Sequence, residues 1–318
     1  MTKLANRIDR LSESITIAIT TLSKQLKADG KDVLSFSAGE PDFPTPQIIK
    51  NSAIKAMENN ETTYTAVEGT IACRQAVCNK LKKDNNLDYD VSEVILNNGA
   101  KHTLFNIFQA MIEEGDEVII PAPYWVTYPE LVQYSGGTVI KIFTDEKSNF
   151  KITPKQLQDA ISSKTKILVL TTPSNPTGSV YTKSELEEIA KVLKDTNITI
   201  VSDEMYEKLV YKDIKFTAVA SINDDMLNRT ITVNGLSKSV AMTGWRFGYA
   251  ACKNKNLLKA MKKLQSQSTS NINSITQAAA ITALDGSANA DIEAMRVEFE
   301  KRRDLASSLF NQIDGLDR

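Results

Sequence analysis

The sequence has 318 residues, of which 42% are hydrophobic and 24% charged, a composition typical of a soluble globular protein with a substantial core. Its 38 Lys and Arg residues are balanced by 39 Asp and Glu residues, so no excess charge favours nucleic acid or an anionic membrane as a partner. Three cysteines without CxxC spacing and a single histidine offer too few ligands for a zinc site, so we expect no bound metal.

Export and membrane insertion are also disfavoured by the sequence. No apolar segment follows the charges of the first seven residues, and there is no run of roughly eighteen apolar residues anywhere. We therefore expect a cytoplasmic protein with reduced cysteines, whose partners are small molecules or copies of itself. The length predicts one large and one small domain.

Short runs rich in β-branched residues alternate with helix-like segments over most of the chain. Seven mostly apolar runs have the pattern of strands covered on both faces: Val94–Leu96, Glu117–Ile120, Thr138–Phe143, Lys166–Thr172, Ile198–Ser202, Thr230–Val233 and Tyr249–Cys252. The segments predicted as helices between them are His102–Glu114, Tyr124–Tyr134, Pro154–Ser162, Lys183–Thr196 and Asn254–Gln265. This alternation predicts a doubly wound, mostly parallel α/β sheet.

A further amphipathic helix is predicted near the end of the sequence, over Asp291–Ile313. Its apolar residues recur at three-and-four spacing opposite a face rich in lysine and arginine. Only five residues follow it, and they offer no strand to cover its apolar stripe. We expect this helix to begin a small domain that the sequence does not complete.

Polar residues follow several of the predicted strands, where ligands bind in open α/β sheets. A turn of small residues at Asn97–Lys101 precedes a helix, and its free N–H groups suit a phosphate. Asn175, Asp203 and Lys238 follow three later strands. Because the carboxyl ends of parallel strands share one edge, these residues are expected to meet at one crevice.

Asp203 and Lys238 together favour pyridoxal phosphate over a dinucleotide, since the sequence contains no GxGxxG. That cofactor needs a lysine for a Schiff base and a carboxylate that keeps its pyridine nitrogen protonated. Arg246, eight residues after Lys238, adds the guanidinium fork expected of a phosphate anchor. Taken alone, Lys238 could be a solvated lysine and Asp203 a helix N-cap, but their positions after strands favour the functional reading.

Six motifs follow one another along the chain: Ala38–Phe43 (AGEPDF), Tyr64–Gly69 (YTAVEG), Pro123–Val126 (PYWV), Asn175–Gly178 (NPTG), Ser202–Tyr206 (SDEMY) and Ser237–Arg246 (SKSVAMTGWR). With them, the sequence resembles the class I (fold type I) aminotransferases, and within these the bacterial and archaeal aspartate aminotransferase subgroup. The resemblance implies ping-pong transfer of an amino group from an amino acid, expected to be aspartate, to a 2-oxo acid, expected to be 2-oxoglutarate. It also implies an N-terminal arm and small-domain segment over residues 1–40, a large cofactor-binding domain over 41–290, and the start of an incomplete α+β small domain over 291–318.

The resemblance assigns one set of residues to pyridoxal phosphate. Lys238 is expected to be the Schiff-base lysine and Asp203 the partner of the pyridine nitrogen. Asn175 and Tyr206, the latter also assigned to catalysis, would bind the phenolic oxygen of the ring, and Trp125 would stack on its face. The residues expected around the phosphate are Gly99, Ala100, Lys101, Ser237 and Arg246, together with Tyr64 from the other subunit of a homodimer.

A second set of residues is assigned to the substrate. The resemblance implies Gly39, Trp125, Asn175, Lys101, Ser14 and Thr16 for this set. Gly39 would lie against the α-carboxylate, whereas Lys101, Ser14 and Thr16 would meet the side-chain carboxylate of a dicarboxylic substrate. Lys101 could instead lie beside the phosphate or be solvated, and that alternative stays open.

Two departures from the family pattern affect the functional expectation. Phe247 stands where smaller aliphatic residues are usual, which we expect the packing to tolerate. No residue matches the family's arginine that clamps the substrate α-carboxylate, so we expect a C-terminally truncated enzyme.

The alternatives are another reaction of the same cofactor, such as β-elimination, C–S lysis or cyclopropane-forming synthesis, or a non-catalytic cofactor-binding or regulatory module. The sequence has no DNA-binding element, which weighs against a regulator.

Overall fold

The computed structural model describes residues 4–13, 15–36, 39–211 and 214–315. Its seven strands are β1 (Val94–Asn98), β2 (Glu117–Ala122), β3 (Thr138–Phe143), β4 (Thr165–Thr171), β5 (Thr199–Asp203), β6 (Thr230–Gly235) and β7 (Phe247–Ala251). They form one sheet in the order β1-β7-β6-β5-β4-β2-β3. Strand β7 runs antiparallel to both of its neighbours, β1 and β6, and the other adjacent strands pair in parallel. The predicted strands and the mostly parallel sheet are therefore confirmed.

Eleven α-helices are found among the described residues. They are α1 (Ile15–Ala28), α2 (Gln47–Glu58), α3 (Ile71–Asn85), α4 (Ala100–Met111), α5 (Thr127–Tyr134), α6 (Pro154–Ala160), α7 (Lys183–Leu193), α8 (Asp224–Arg229), α9 (Lys255–Ser266), α10 (Ser274–Leu284) and α11 (Asn289–Phe310). The six predicted helices are confirmed with shifted ends. The largest shift at a helix start is in α5, which begins three residues later than predicted because the segment from Pro123 to Val126 forms a loop.

The sheet is covered on both faces, as a doubly wound fold requires. On the first face, α4, α5 and α9 pack over β-strand residues that include Val118, Val201 and Val233. On the second face, α3 and α10 cover β1 and β7, while α6 and α7 cover β2, β4 and β5. Phe247 is fully buried in the cluster with α3 and α10, where its ring packs against Tyr249 at a centroid distance of 6.3 Å. The core thus accommodates Phe247, as expected.

Helix α11 packs on the rest of the chain through residues that extend as far as Arg302. The ring of Phe299 packs edge-on against Phe43 at 5.3 Å, and Arg302 forms a two-pronged ion pair with Asp42 at 2.9 Å. Further along the helix, Leu305 and Leu309 are exposed. The predicted apolar stripe is therefore buried at one end and exposed at the other.

All three cysteines are buried and none forms a disulfide. Burial raises the pKa of the Cys73 and Cys252 thiols to about 12 and that of Cys78 to about 11. These thiols are therefore core residues with little thiolate at neutral pH. Over the described ranges, no helix is both long and apolar enough to cross a membrane, and no group of acidic, histidine or cysteine side chains is placed to hold a metal ion.

Candidate active site

The carboxyl ends of three neighbouring parallel strands meet at one edge of the sheet. Thr171 ends β4 and Asp203 ends β5, while Lys238 follows β6 by three residues. A cavity of about 590 Å³ opens at this edge, within the size range of small-molecule sites. Its lining residues are Gly39, Glu40, Ala100, Lys101, Trp125, Tyr128, Thr171, Asn175, Asp203, Met205, Tyr206, Ser237, Lys238, Thr243 and Arg246. Ten of the residues assigned from the sequence are therefore brought together.

Asp203 lies at the inner wall of this cavity with only 4% of its surface exposed. The Tyr128 hydroxyl donates to its Oδ2 at 2.7 Å, and the Met205 backbone N–H donates to its Oδ1 at 3.2 Å. Burial raises the pKa of Asp203, while these two hydrogen bonds lower it. A buried carboxylate is stabilised by a positive partner, so this wall fits a cationic group such as a protonated ring nitrogen.

Lys238 reaches into the cavity from the loop after β6. Its Nζ donates to the carbonyl oxygen of Gly39 and lies 5.9 Å from the centroid of the Tyr206 ring. Burial lowers the pKa of Lys238, and the nearby charge of Glu40 raises it. Partial burial favours the neutral form of the amine, which is the form that acts as nucleophile or base.

Asn175 and Tyr206 form a pair of donors beside Lys238. The Asn175 side-chain amide lies 3.5 Å from the Tyr206 hydroxyl. Burial and the charge of Asp203 raise the pKa of Tyr206 to about 12. The phenol therefore stays protonated at neutral pH and can donate to an anionic oxygen of a ligand.

Arg246 lies at the N-terminus of α4, where the helix dipole also favours an anion. Gly99 precedes α4 with φ of 83°, and a Cβ on it would lie 2.4 Å from a guanidinium nitrogen of Arg246. Gly248 in β7 approaches as closely, because a Cβ there would lie 2.4 Å from the Ala100 nitrogen. Ser237 is buried beside this corner of the cavity. The two glycines thus allow a close-packed anion pocket that fits a phosphate.

Lys101 and Trp125 also line the cavity and lie close to each other. The Lys101 Nζ lies 5.0 Å from the centroid of the Trp125 ring. Burial lowers the pKa of Lys101, and the positive charge of Arg246 lowers it further. An anion placed between these two cations would relieve their repulsion. The geometry is compatible with either alternative, the cofactor phosphate or a substrate carboxylate.

Tyr64, by contrast, lies away from this cavity. Tyr64 is 92% exposed and does not line it, so a role at the phosphate requires a second subunit. Ser14 lies outside the described residues, and Thr16 lies in α1.

Sequence reasoning did not assign Tyr128 and Thr171, although both line the cavity. Tyr128 comes three residues after Trp125, a spacing that would place both side chains on one face of the helix predicted over Tyr124–Tyr134 and could have indicated it. Thr171 could have been found because it is the second-last residue of the predicted strand Lys166–Thr172, close to the carboxyl end where ligands bind.

An adjoining cavity of about 470 Å³ extends from Lys238 towards α11. Its walls are largely apolar and include Val210 and Phe299. Arg303 of α11 also lines it, with its guanidinium 4.9 Å from the centroid of the Tyr211 ring. The two cavities share Lys238, so the space around this side chain extends beyond the first cavity.

Comparison with known proteins gives similarities over nearly the whole chain. Residues 31–317 match the family described as aminotransferase class I and II. An aspartate aminotransferase of Bacillus sp. (strain YM-2) is 48% identical over 312 residues, which cover 98% of this chain and 79% of the relative.

Solved structures agree with the sequence comparison. The aspartate aminotransferase from Rhizobium meliloti matches with a TM-score of 0.96 and 39% identity, covering 100% of this chain and 79% of that one. The aspartate aminotransferase from Thermus thermophilus with maleate matches with a TM-score of 0.92 and 38% identity, covering 96% of this chain and 79% of that one. Sequence and fold are therefore similar to the same group of proteins.

Proposed function

The chain belongs to the class I and II aminotransferases, and on that premise we propose that it moves the amino group of aspartate to a 2-oxo acid, with 2-oxoglutarate as the acceptor. One observation carries the proposal: a single cavity unites the buried Asp203 carboxylate, the partly buried Lys238 amine and the Arg246 guanidinium. When bound, pyridoxal phosphate supplies an electron sink for the bonds of the substrate Cα.

Each cavity residue has a proposed role that its surroundings support. Asp203 holds a proton on the pyridine nitrogen, since its buried carboxylate fits a cationic partner. Tyr206 and Asn175 donate to the phenolic oxygen, and Trp125 covers one face of the ring. The proposed phosphate-binding groups are Gly99, Ala100, Ser237 and Arg246, with Tyr64 from a partner subunit.

Lys238 is the proposed nucleophile and proton carrier. Its Nζ, whose pKa is lowered by burial, removes the proton from the substrate Cα and returns one in the reverse half-reaction. The carbonyl of Gly39 accepts a hydrogen bond from this amine and is proposed to orient it, and Gly39 is also the proposed contact of the substrate α-carboxylate. No histidine is required for such a transfer.

The covalent role of Lys238 can be tested by borohydride reduction of the protein loaded with pyridoxal phosphate. Peptide mapping is expected to find the label on Lys238 and to lose it in Lys238→Ala. A coupled assay with aspartate and 2-oxoglutarate tests the reaction. A label on Lys101 instead would refute the assignment, and release of an elimination product without pyridoxamine phosphate would indicate a lyase.

Lys101 is proposed to bind the side-chain carboxylate of the substrate, with Ser14 and Thr16. The Thermus thermophilus relative was solved with maleate, a dicarboxylate, and Lys101 is a cation at the cavity wall. In Lys101→Ala we expect kcat/KM for aspartate to fall by roughly 30-fold, from a loss of about 2 kcal/mol, while kcat/KM for alanine is unchanged. Equal losses for both donors would show that Lys101 does not bind the side chain.

The larger organisation of the protein is also proposed. We infer a cytoplasmic homodimer whose two sites share Tyr64, with residues 41–290 as the large domain and 1–40 and 291–318 as parts of a small one. The exposed Tyr64 and Ile71 support an interface near these residues. Analytical ultracentrifugation tests the dimer, and a monomer with full activity would contradict the shared site.

A further inference from the structure

Tyr128 connects two adjacent strand ends from the helix above them. It lies in α5 and is 1% exposed. Its hydroxyl is 2.7 Å from Oδ2 of Asp203 and 2.8 Å from Oγ1 of Thr171. The β4–β5 register pairs Thr171 with Asp203, so both side chains project from the same face of the sheet toward this hydroxyl.

The protons of this hydrogen-bonded chain have one consistent arrangement. An ionised carboxylate only accepts hydrogen bonds, so the single Tyr128 proton is donated to Asp203. The Thr171 hydroxyl must then donate to the Tyr128 oxygen. With the Met205 N–H on the other oxygen, Asp203 has two fixed donors, and no cationic side chain is among the groups that shift its pKa. The carboxylate is thus held as an acceptor whose remaining lone pairs face the cavity.

Tyr128 also supports the wall that carries Trp125. The two rings meet edge to face, with centroids 5.6 Å apart and planes at 88°. A single buried side chain therefore contacts both the cavity carboxylate and the indole proposed to stack on the cofactor ring. Displacing the Tyr128 ring would disturb both, whereas removing only its hydroxyl would affect the carboxylate alone.

We propose that Tyr128 is a positioning residue whose hydroxyl, oriented by Thr171, fixes the Asp203 carboxylate as the acceptor for a proton held on the cofactor ring. This rests on the proposed function of Asp203. Because the Tyr128 hydrogen bond lowers the pKa of Asp203, its loss makes the carboxyl easier to protonate. A protonated Asp203 cannot hold a second proton on the ring nitrogen. As the pH is lowered, activity would therefore be lost at a higher pH than with the hydrogen bond in place.

The test compares Tyr128→Phe with a matched control, Tyr249→Phe. Tyr249 is equally buried in the core, and its hydroxyl has no hydrogen-bond partner among the described residues. In Tyr128→Phe we expect the acid limb of the kcat/KM profile to move up by about 1–2 pH units, the size expected for a charged hydrogen bond. Thr171→Val should move it less, in the same direction, and Tyr249→Phe should match the wild type.

A second readout separates this inference from the proposed function. Carboxyl ¹³C NMR titration of Asp203 in the cofactor-free protein, assigned with Asp203→Asn, should show the same upward pKa shift in Tyr128→Phe. If the wild type does not transaminate, the proposed function fails while the titration still decides the role of Tyr128. An unchanged Asp203 titration in Tyr128→Phe, or an equal shift in Tyr249→Phe, would overturn the inference.

Discussion

Asp203 and Glu204 are consecutive buried carboxyl residues at the end of β5, yet they face opposite sides of the sheet. Burial raises the pKa of both. Asp203 opens on the large cavity and receives the Tyr128 hydroxyl. Glu204 faces the second side, where Oε1 accepts from the Ser202 hydroxyl at 2.9 Å and the Val219 N–H at 3.1 Å. Burial alone therefore does not mark a functional carboxylate; access to a ligand does.

The second side of the sheet is polar around Glu204. The strand register pairs Ser202 with Thr232, which places both on the same side as Glu204. Next to them Lys80 forms a buried ion pair with Glu207, and the charge of Glu207 helps raise the pKa of Glu204 to about 8. This cluster lies between apolar regions and opens on no cofactor-sized cavity in the described structure. We expect it to affect stability rather than catalysis.

The largest expected difference between the two faces is in catalysis. Asp203→Asn keeps the shape of the side chain but removes the charge that is proposed to hold the ring proton. We expect transamination to fall by at least about 10²–10³-fold, as for other losses of electrostatic stabilisation at a reacting group. Single-turnover kinetics with aspartate measure this, and borohydride labelling of Lys238 checks that the cofactor is still bound. Glu204→Gln is the matched control and should stay within about twofold of wild type; an equal loss there would remove the distinction between the faces.

Breaking the ion pair on the second face should give a large stability effect. Lys80 is 7% exposed, so Lys80→Met leaves Glu207 charged and buried. We expect the free energy of unfolding to fall by about 3–5 kcal/mol, with cofactor affinity unchanged. Urea denaturation measures the loss. The control is Lys155→Met, since the exposed Lys155–Asp159 pair should contribute less than about 1 kcal/mol; similar losses in both variants would contradict the burial argument.

Glu204 should make stability depend on pH in a defined direction. Its pKa rises from 4.5 to about 8 on folding, so the folded state binds this proton more tightly than the unfolded state. Stability is therefore lost as pH rises from about 4.5 to about 8. Glu204→Gln removes this contribution. Since one pKa unit corresponds to about 1.4 kcal/mol, we expect the free energy of unfolding of the variant, relative to the wild type, to be higher near pH 8 than at pH 5 by at least that amount. Denaturation curves at several pH values measure this effect. If the free energy of unfolding fell equally with pH in variant and wild type, the prediction would be contradicted.

The smallest effect is expected for the unpaired tyrosine of the second face. Tyr249→Phe removes a hydroxyl that has no partner among the described residues, so no hydrogen bond is lost. We expect the free energy of unfolding to change by less than about 1 kcal/mol. Tyr128→Phe, which loses a hydrogen bond to a carboxylate, should cost more. Equal thermal shifts for the two variants would show that hydrogen-bond pairing does not distinguish them.

Much of the sheet was predictable because its strands are continuous apolar runs between polar turns. The family assignment was also predictable, since six motifs carry it, and it is confirmed by the match over residues 31–317. Helices α3 and α10 were not predicted, because they bury small residues such as Ala76 and Ala280, which give weak amphipathic periodicity.

The support of the site was harder to predict than its residues. Tyr128 and Asp203 are 75 positions apart, and their contact depends on how α5 sits above β5. The composition of the SDEMY motif does not tell Asp203 from Glu204. Only the alternation of side chains along β5 decides which carboxyl group faces the cavity.

The three buried cysteines have a practical consequence for experiments on this protein. Because Cys73, Cys78 and Cys252 hold almost no thiolate at neutral pH, a maleimide or iodoacetamide reagent should ignore them while the fold is intact. An engineered cysteine at an exposed position such as Lys155 would then be the preferred attachment point for a fluorophore or spin label. Probes that follow ligand binding can therefore be attached without first replacing the native thiols.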